Sequence, residues 1–162
     1  MVALLENDYK EDRMLNKIDN QGKSISESEL SDISSEIKLK FPAEYEDFLL
    51  KYNGGSPVPD AILIKGHKEE VGTVQTFFGV DREIKSSDLK WNYDEYRDRI
   101  PNSFLPIACS DTNDLICLVL SESQYGAVVF WDAMDESGKD SLDNIYEVAD
   151  NFTDFLELLF DD

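Results

Sequence analysis

The sequence predicts a single α+β domain, with an antiparallel sheet of about four to six strands and helices packed at its N- and C-terminal ends. Three observations carry that expectation. Apolar residues recur at helical spacing near both ends of the chain. Short runs rich in β-formers fill much of the stretch between them. The polar turns that separate those runs are too short for the crossovers that parallel strands need. A chain of 162 residues fits one domain with a core of its own. The expected layout is a core over residues 23–160 behind a helical extension over residues 1–22.

Leu4 to Ile18 reads as a loosely amphipathic helix that stops near Asn20-Gln21-Gly22. Ser26 and Glu29 form a capping-box signature, in which each side chain serves the other's free backbone N–H. Leu30, Ile33 and Ile37 then share one helix face. Pro42 interrupts that helix and suits the first turn of another, whose apolar stripe is Tyr45, Phe48, Leu49 and Tyr52. Asn53-Gly54-Gly55 supplies residues that tolerate a left-handed stop. Pro57 and Pro59 mark a loop. Ala61 to Ile64 and Thr73 to Phe78 read as strands. Ser87 or Asp88 caps a short helix bearing Leu89, Tyr93, Tyr96 and Ile100. Phe104 to Ala108, Leu115 to Leu120 and Ala127 to Trp131 then form a meander. A longer turn, Asp135 to Asp143, leads to a strand at Ile145 to Val148. Asp150 or Asn151 caps a last helix with Phe152, Phe155, Leu156 and Leu159 on its packing face.

Charge narrows the function classes. The net charge is −20, and hydrophobic content of 41% argues against disorder as its reason. Between Cys109 and Asp162 there are fourteen acids and one base, Lys139, a net of −13. Such a body repels nucleic acid and anionic membranes and attracts a cationic protein. No apolar run is long enough to span a bilayer. Met1 to Asp12 lacks a basic region followed by an apolar one, so no signal peptide and a cytoplasmic location are expected. Cys109 and Cys117 are then expected as buried thiols, although a disulfide across a hairpin is geometrically open to them.

Reactive groupings are sparse. His67 is the only histidine, sits in a charged loop and has no partner in sequence, so it reads as solvated. There is no phosphate loop, dinucleotide fingerprint or nucleophile elbow. Asp111, Asn113 and Glu122 match three positions of a calcium loop, but Leu115 and Ile116 occupy positions that need an oxygen ligand and a glycine. Two cysteines and one histidine are too few for a typical structural zinc site. No catalytic residue, metal ligand or cofactor is assigned. A carboxylate enzyme remains as a third hypothesis, to be tested with divalent cations.

Four stretches together resemble the SUKH superfamily, the Smi/Knr-type domains. They are Phe41 to Gly55, with Pro42, Tyr45, Phe48, Asn53, Gly54 and Gly55 as its marks; Phe104 to Ala108 followed by Asp114 to Leu118; Gly126 to Asp132, with Trp131; and Val148 to Leu156. The chain departs from the pattern at Ser110 to Asn113, where the family often has glycines, and at Ala133, where it often has a histidine. The resemblance implies a non-enzymatic immunity protein that binds and neutralises a basic protein toxin, a nuclease or nucleic-acid deaminase. Its eukaryotic branch implies a regulatory or scaffold module instead. Asp111, Asp114, Asp132, Asp135, Glu136 and Asp140 are the expected contact acids, because they sit at the predicted turns. Monomer and homodimer both stay open.

Overall fold

The computed structural model describes residues 15–162. Its main sheet has five antiparallel strands in chain order, β5 (Thr76–Phe77), β6 (Phe104–Cys109), β7 (Leu115–Val119), β8 (Val128–Trp131) and β9 (Ile145–Ala149). Strands β7 and β8 are buried at every position, and β6 at all but its last. Both faces of the sheet are therefore covered, which is why these strands read as continuous apolar runs instead of alternating. Pro106 lacks an N–H for the ladder, and the pairing with β7 shifts register between Pro106 and Ala108.

Among the described residues there are four α-helices, α1 (Glu27–Ile37), α2 (Ala43–Tyr52), α3 (Leu89–Tyr96) and α4 (Phe152–Glu157). The capping box of Ser26 and Glu29 starts α1, and Lys38 ends it in the left-handed conformation. Pro42 is the N-cap of α2. Asp88 and Asn151 cap α3 and α4 with their side chains. Helices from the two ends of the chain meet in one aromatic cluster. The ring of Phe48 lies 4.8 Å from that of Phe77 and 5.1 Å from that of Phe152, and Tyr45 lies 5.2 Å from Phe152.

The stop after α2 does more than end a helix. Asn53 adopts φ +50°, and its buried side chain accepts a bond from the Val80 N–H and donates to the Val80 and Lys23 carbonyls. Gly79 is needed beside it, since a Cβ there would lie 2.2 Å from the Asn53 oxygen. Gly54, at φ +87°, packs against the Phe77 carbonyl, and Gly55 exchanges two backbone bonds with Phe77. The Asn-Gly-Gly segment thus fastens α2 to the first strand of the sheet.

Two small sheets complete the fold. One pairs β1 (Lys17–Asp19) with β2 (Ser56–Val58), the other β3 (Ala61–Leu63) with β4 (Val71–Thr73). Successive strand residues point to opposite faces. Trp131 meets Tyr96 of α3 on one face, at 6.0 Å, while Phe130 meets His67 from the β3–β4 loop on the other, at 5.6 Å.

Three sequence expectations need correction. The described end of the expected helix Leu4 to Ile18 is a strand, with Ile18 buried between exposed neighbours opposite Pro57; the rest lies outside the described residues. Pro57 belongs to a strand and not a loop, in a two-stranded sheet where a missing N–H is tolerated. Thr73 to Phe78 is not one strand. Thr73 pairs with Ala61 and Thr76 with Cys109, so the chain changes sheets between them. The two cysteines are free thiols, as expected: Cys109 faces Leu115 and Cys117 faces Pro106, Cys117 is buried and Cys109 half-buried, and burial pushes both thiols up.

Candidate partner-binding site

Three loops converge at one end of the main sheet: the β3–β4 loop with His67, the β6–β7 turn from Ser110 to Asp114, and the β8–β9 loop from Asp132 to Asn144. Buried polar side chains tie them together. His67 Nε2 lies 2.7 Å from Asp132 Oδ2, with both side chains nearly enclosed. The other oxygen of Asp132 accepts the Met134 N–H at 2.9 Å. Asp132 N–H donates to the Asn144 carbonyl, and the Asn144 amide donates back to the Asp132 carbonyl. Asp114 accepts the Ala133 N–H at 2.9 Å on one oxygen and the Ser110 and Thr112 hydroxyls on the other.

The electrostatics of the pair are consistent from both sides. Burial works against a charged His67, but its bonds to Asp132 and to the Glu69 carbonyl, with the charges of Asp132 and Asp114, hold its pKa above the ordinary value. Burial likewise works against a charged Asp132, yet His67 and the Met134 N–H hold its pKa below the ordinary carboxylate range. His67 Nδ1 lies 3.0 Å from both the N–H and the carbonyl of Glu69. A neutral ring accepts from the first, and an imidazolium donates to the second.

This frame divides the six expected contact acids. Asp111, Asp135 and Asp140 are exposed on the turns. Asp114 and Asp132 are only 6% and 4% exposed, and their oxygens are already taken by backbone and side-chain donors, so they build the surface and do not present charge on it. Glu136 is half-buried and held by Arg99 through two bonds of 2.9 Å, which lowers its pKa. That guanidinium also lies over the rings of Tyr96, at 4.9 Å, and Trp131, at 5.4 Å, so Glu136 helps close the core over Trp131. The expectation of a solvated His67 is overturned: it is 8% exposed and its partner lies 65 residues away.

The frame also presents two side chains that charge patterning did not single out. Met134 is 84% exposed and Leu142 is 65% exposed, each close in sequence to exposed acids, Asp135 beside one and Asp140 and Asp143 about the other. Exposed apolar groups inside an acidic rim are what a protein interface needs, because charge gives steering and register while apolar contact gives more of the affinity. Their signal in the sequence was an apolar residue stranded in a polar turn.

The model of the SMI1/KNR4 family (SUKH-1) matches residues 24–158. A curated Bacillus subtilis (strain 168) relative, the SPbeta prophage-derived uncharacterized protein YokK, is 28% identical over 157 residues, covering 86% of this chain and 77% of its own.

Proposed function

The chain belongs to the SMI1/KNR4 family (SUKH-1), a family known for immunity-type proteins, and from that premise we propose that it binds and neutralises a cationic protein toxin, a nuclease or nucleic-acid deaminase. SUKH domains generally pair with toxin partners and are generally immunity or binding domains without enzymatic activity. The observation that carries the reading to a basic partner is the net charge of −20, with −13 of it after residue 108.

A nuclease or deaminase needs basic residues to hold the phosphate backbone. An acidic surface competes for those residues, and opposite fields raise encounter rates by roughly 10 to 10³. Met134 and Leu142, exposed on the same loop as Asp135 and Asp140, supply the contact that follows encounter. The prophage origin of the relative is in keeping with a role in contests between cells. No helix among the described residues is long and apolar enough to cross a membrane.

The test is co-expression with the product of the adjacent gene, followed by pull-down. Protection of the host and a stable complex are expected. Absence of both with a demonstrably toxic neighbour contradicts the proposal, and capture of a non-toxic regulatory protein moves the chain to the scaffold branch.

A further inference from the structure

A second surface lies away from the loop cluster. A groove of about 1010 Å³ runs over the β8–β9 side of the main sheet, between β3 and the C-terminal segment that follows α4. That is the upper end of the range for small-molecule pockets, roughly 300–1,000 Å³, and the groove is open to solvent.

Three properties define what fits it. The lining mixes polar and apolar groups, with Ile62, Val128 and Val129 buried beneath it and Phe160 half-buried at its side. Leu63, Tyr125 and Leu158 stand on it with 50%, 44% and 43% of their surface exposed, and Tyr125 is held in place by donating its hydroxyl to the Lys40 carbonyl at 2.7 Å. Four exposed acids line the same groove, Glu122, Glu147, Asp150 and Asp154, against one base, Lys65.

The third property is an open strand edge. Ala61 exchanges two backbone bonds with Phe160, on the side of β3 away from β4. Asp60 and Ile64 bond to the β4 side instead, through Val74 and Glu70. Strand periodicity therefore turns the N–H and carbonyl of Leu63 the same way as those of Ala61. Among the described residues they have no backbone partner on that side.

The geometry points to a docking groove for an extended, basic segment of the partner protein, its backbone adding to the edge of β3 beyond Phe160, its apolar side chains against Leu63, Tyr125 and Leu158 and its Lys or Arg residues on the acids. Strand addition supplies hydrogen bonds that do not depend on sequence, and the alternating side chains supply selectivity. An acidic segment is repelled by the four carboxylates. The assignment of the segment to a toxin rests on the function proposed above; its charge and extended form do not.

The test uses the isotope-labelled full chain and two synthetic peptides, Val-Lys-Val-Arg-Val-Lys and Val-Glu-Val-Glu-Val-Glu. Amide signals of Leu63, Tyr125, Val129 and Glu147 to Asp150 are expected to move with the basic peptide only. The exposed double variant Glu147→Lys, Asp150→Lys is expected to keep its fold by circular dichroism and bind the basic peptide about tenfold more weakly. Shifts confined to the loops around Met134 and Leu142, equal binding of both peptides, or a dimer seen by light scattering whose dissociation moves the groove signals would each overturn the proposal. Toxin binding that survives the double variant unchanged removes the groove and leaves the proposed function standing. Peptide binding without any toxin binding does the reverse.

Discussion

His67 and Asn53 show how single residues hold this molecule together, and each makes a prediction. Asn53 satisfies both backbone groups of Val80 and one of Lys23 from a buried position. Asn53→Ala strands those groups and also places alanine at φ +50°, so urea titration should show a loss of about 2–4 kcal/mol. Asn53→Asp should not rescue it, because a carboxylate cannot donate to the two carbonyls. For His67, the folded pKa is raised, so its contribution is full below the ordinary histidine value and fades as pH rises through the folded value. Asp132 is the mirror case: its pKa is lowered, and its contribution is lost only as pH falls through the folded value in acid. The wild-type melting temperature should therefore decline from about pH 6.5 upward by more than that of His67→Gln. Parallel declines in the two proteins would show that the pair is not charged in the folded state.

The elements differ in how far the sequence disclosed them, for reasons visible at particular positions. The strands of residues 104–131 announced themselves because burial on both faces leaves almost no polar residue inside them. The caps at Ser26, Asp88 and Asn151 were legible because capping is a local bond. Strands β1 and β2, three residues each, are too short to show a period, and a proline in one of them imitates a loop. The candidate site was half legible for a related reason. A strand-end aspartate looks the same in sequence whether its carboxylate meets water, as at Asp111, or a backbone N–H, as at Asp114 and Asp132. The pairing of His67 with Asp132 depends on how the β3–β4 hairpin folds over β8, which no local pattern encodes. Asp114 couples two such elements, since it joins the β6–β7 turn to the chain leaving β8. Asp114→Asn replaces an acceptor oxygen with an NH₂ facing donors. It should cost about 1–3 kcal/mol and speed hydrogen exchange at Ala133 and Thr112 together. Exchange that rises at Thr112 alone would show that the two loops are not coupled.

Across the whole molecule, the charge of −20 acts on the association step more than on the contacts themselves. Exposed turn acids should therefore govern rate, and the buried ones stability. The triple variant Asp111→Lys, Asp135→Lys, Asp140→Lys should melt within about 0.5 kcal/mol of wild type in stability yet bind a basic toxin far more slowly. A triple variant that unfolds would place those acids in the frame beside Asp114 and Asp132. The central claim is that this acidic body works by occupying a positive protein surface. Its most direct test is the association rate of the purified chain with the toxin encoded beside it, measured by stopped flow from about 0.01 M to about 1 M ionic strength, over which the screening length falls from roughly 30 Å to roughly 3 Å. The rate should drop by roughly 10-fold or more while the complex still forms. A rate independent of salt, or no association at any salt, would contradict the claim.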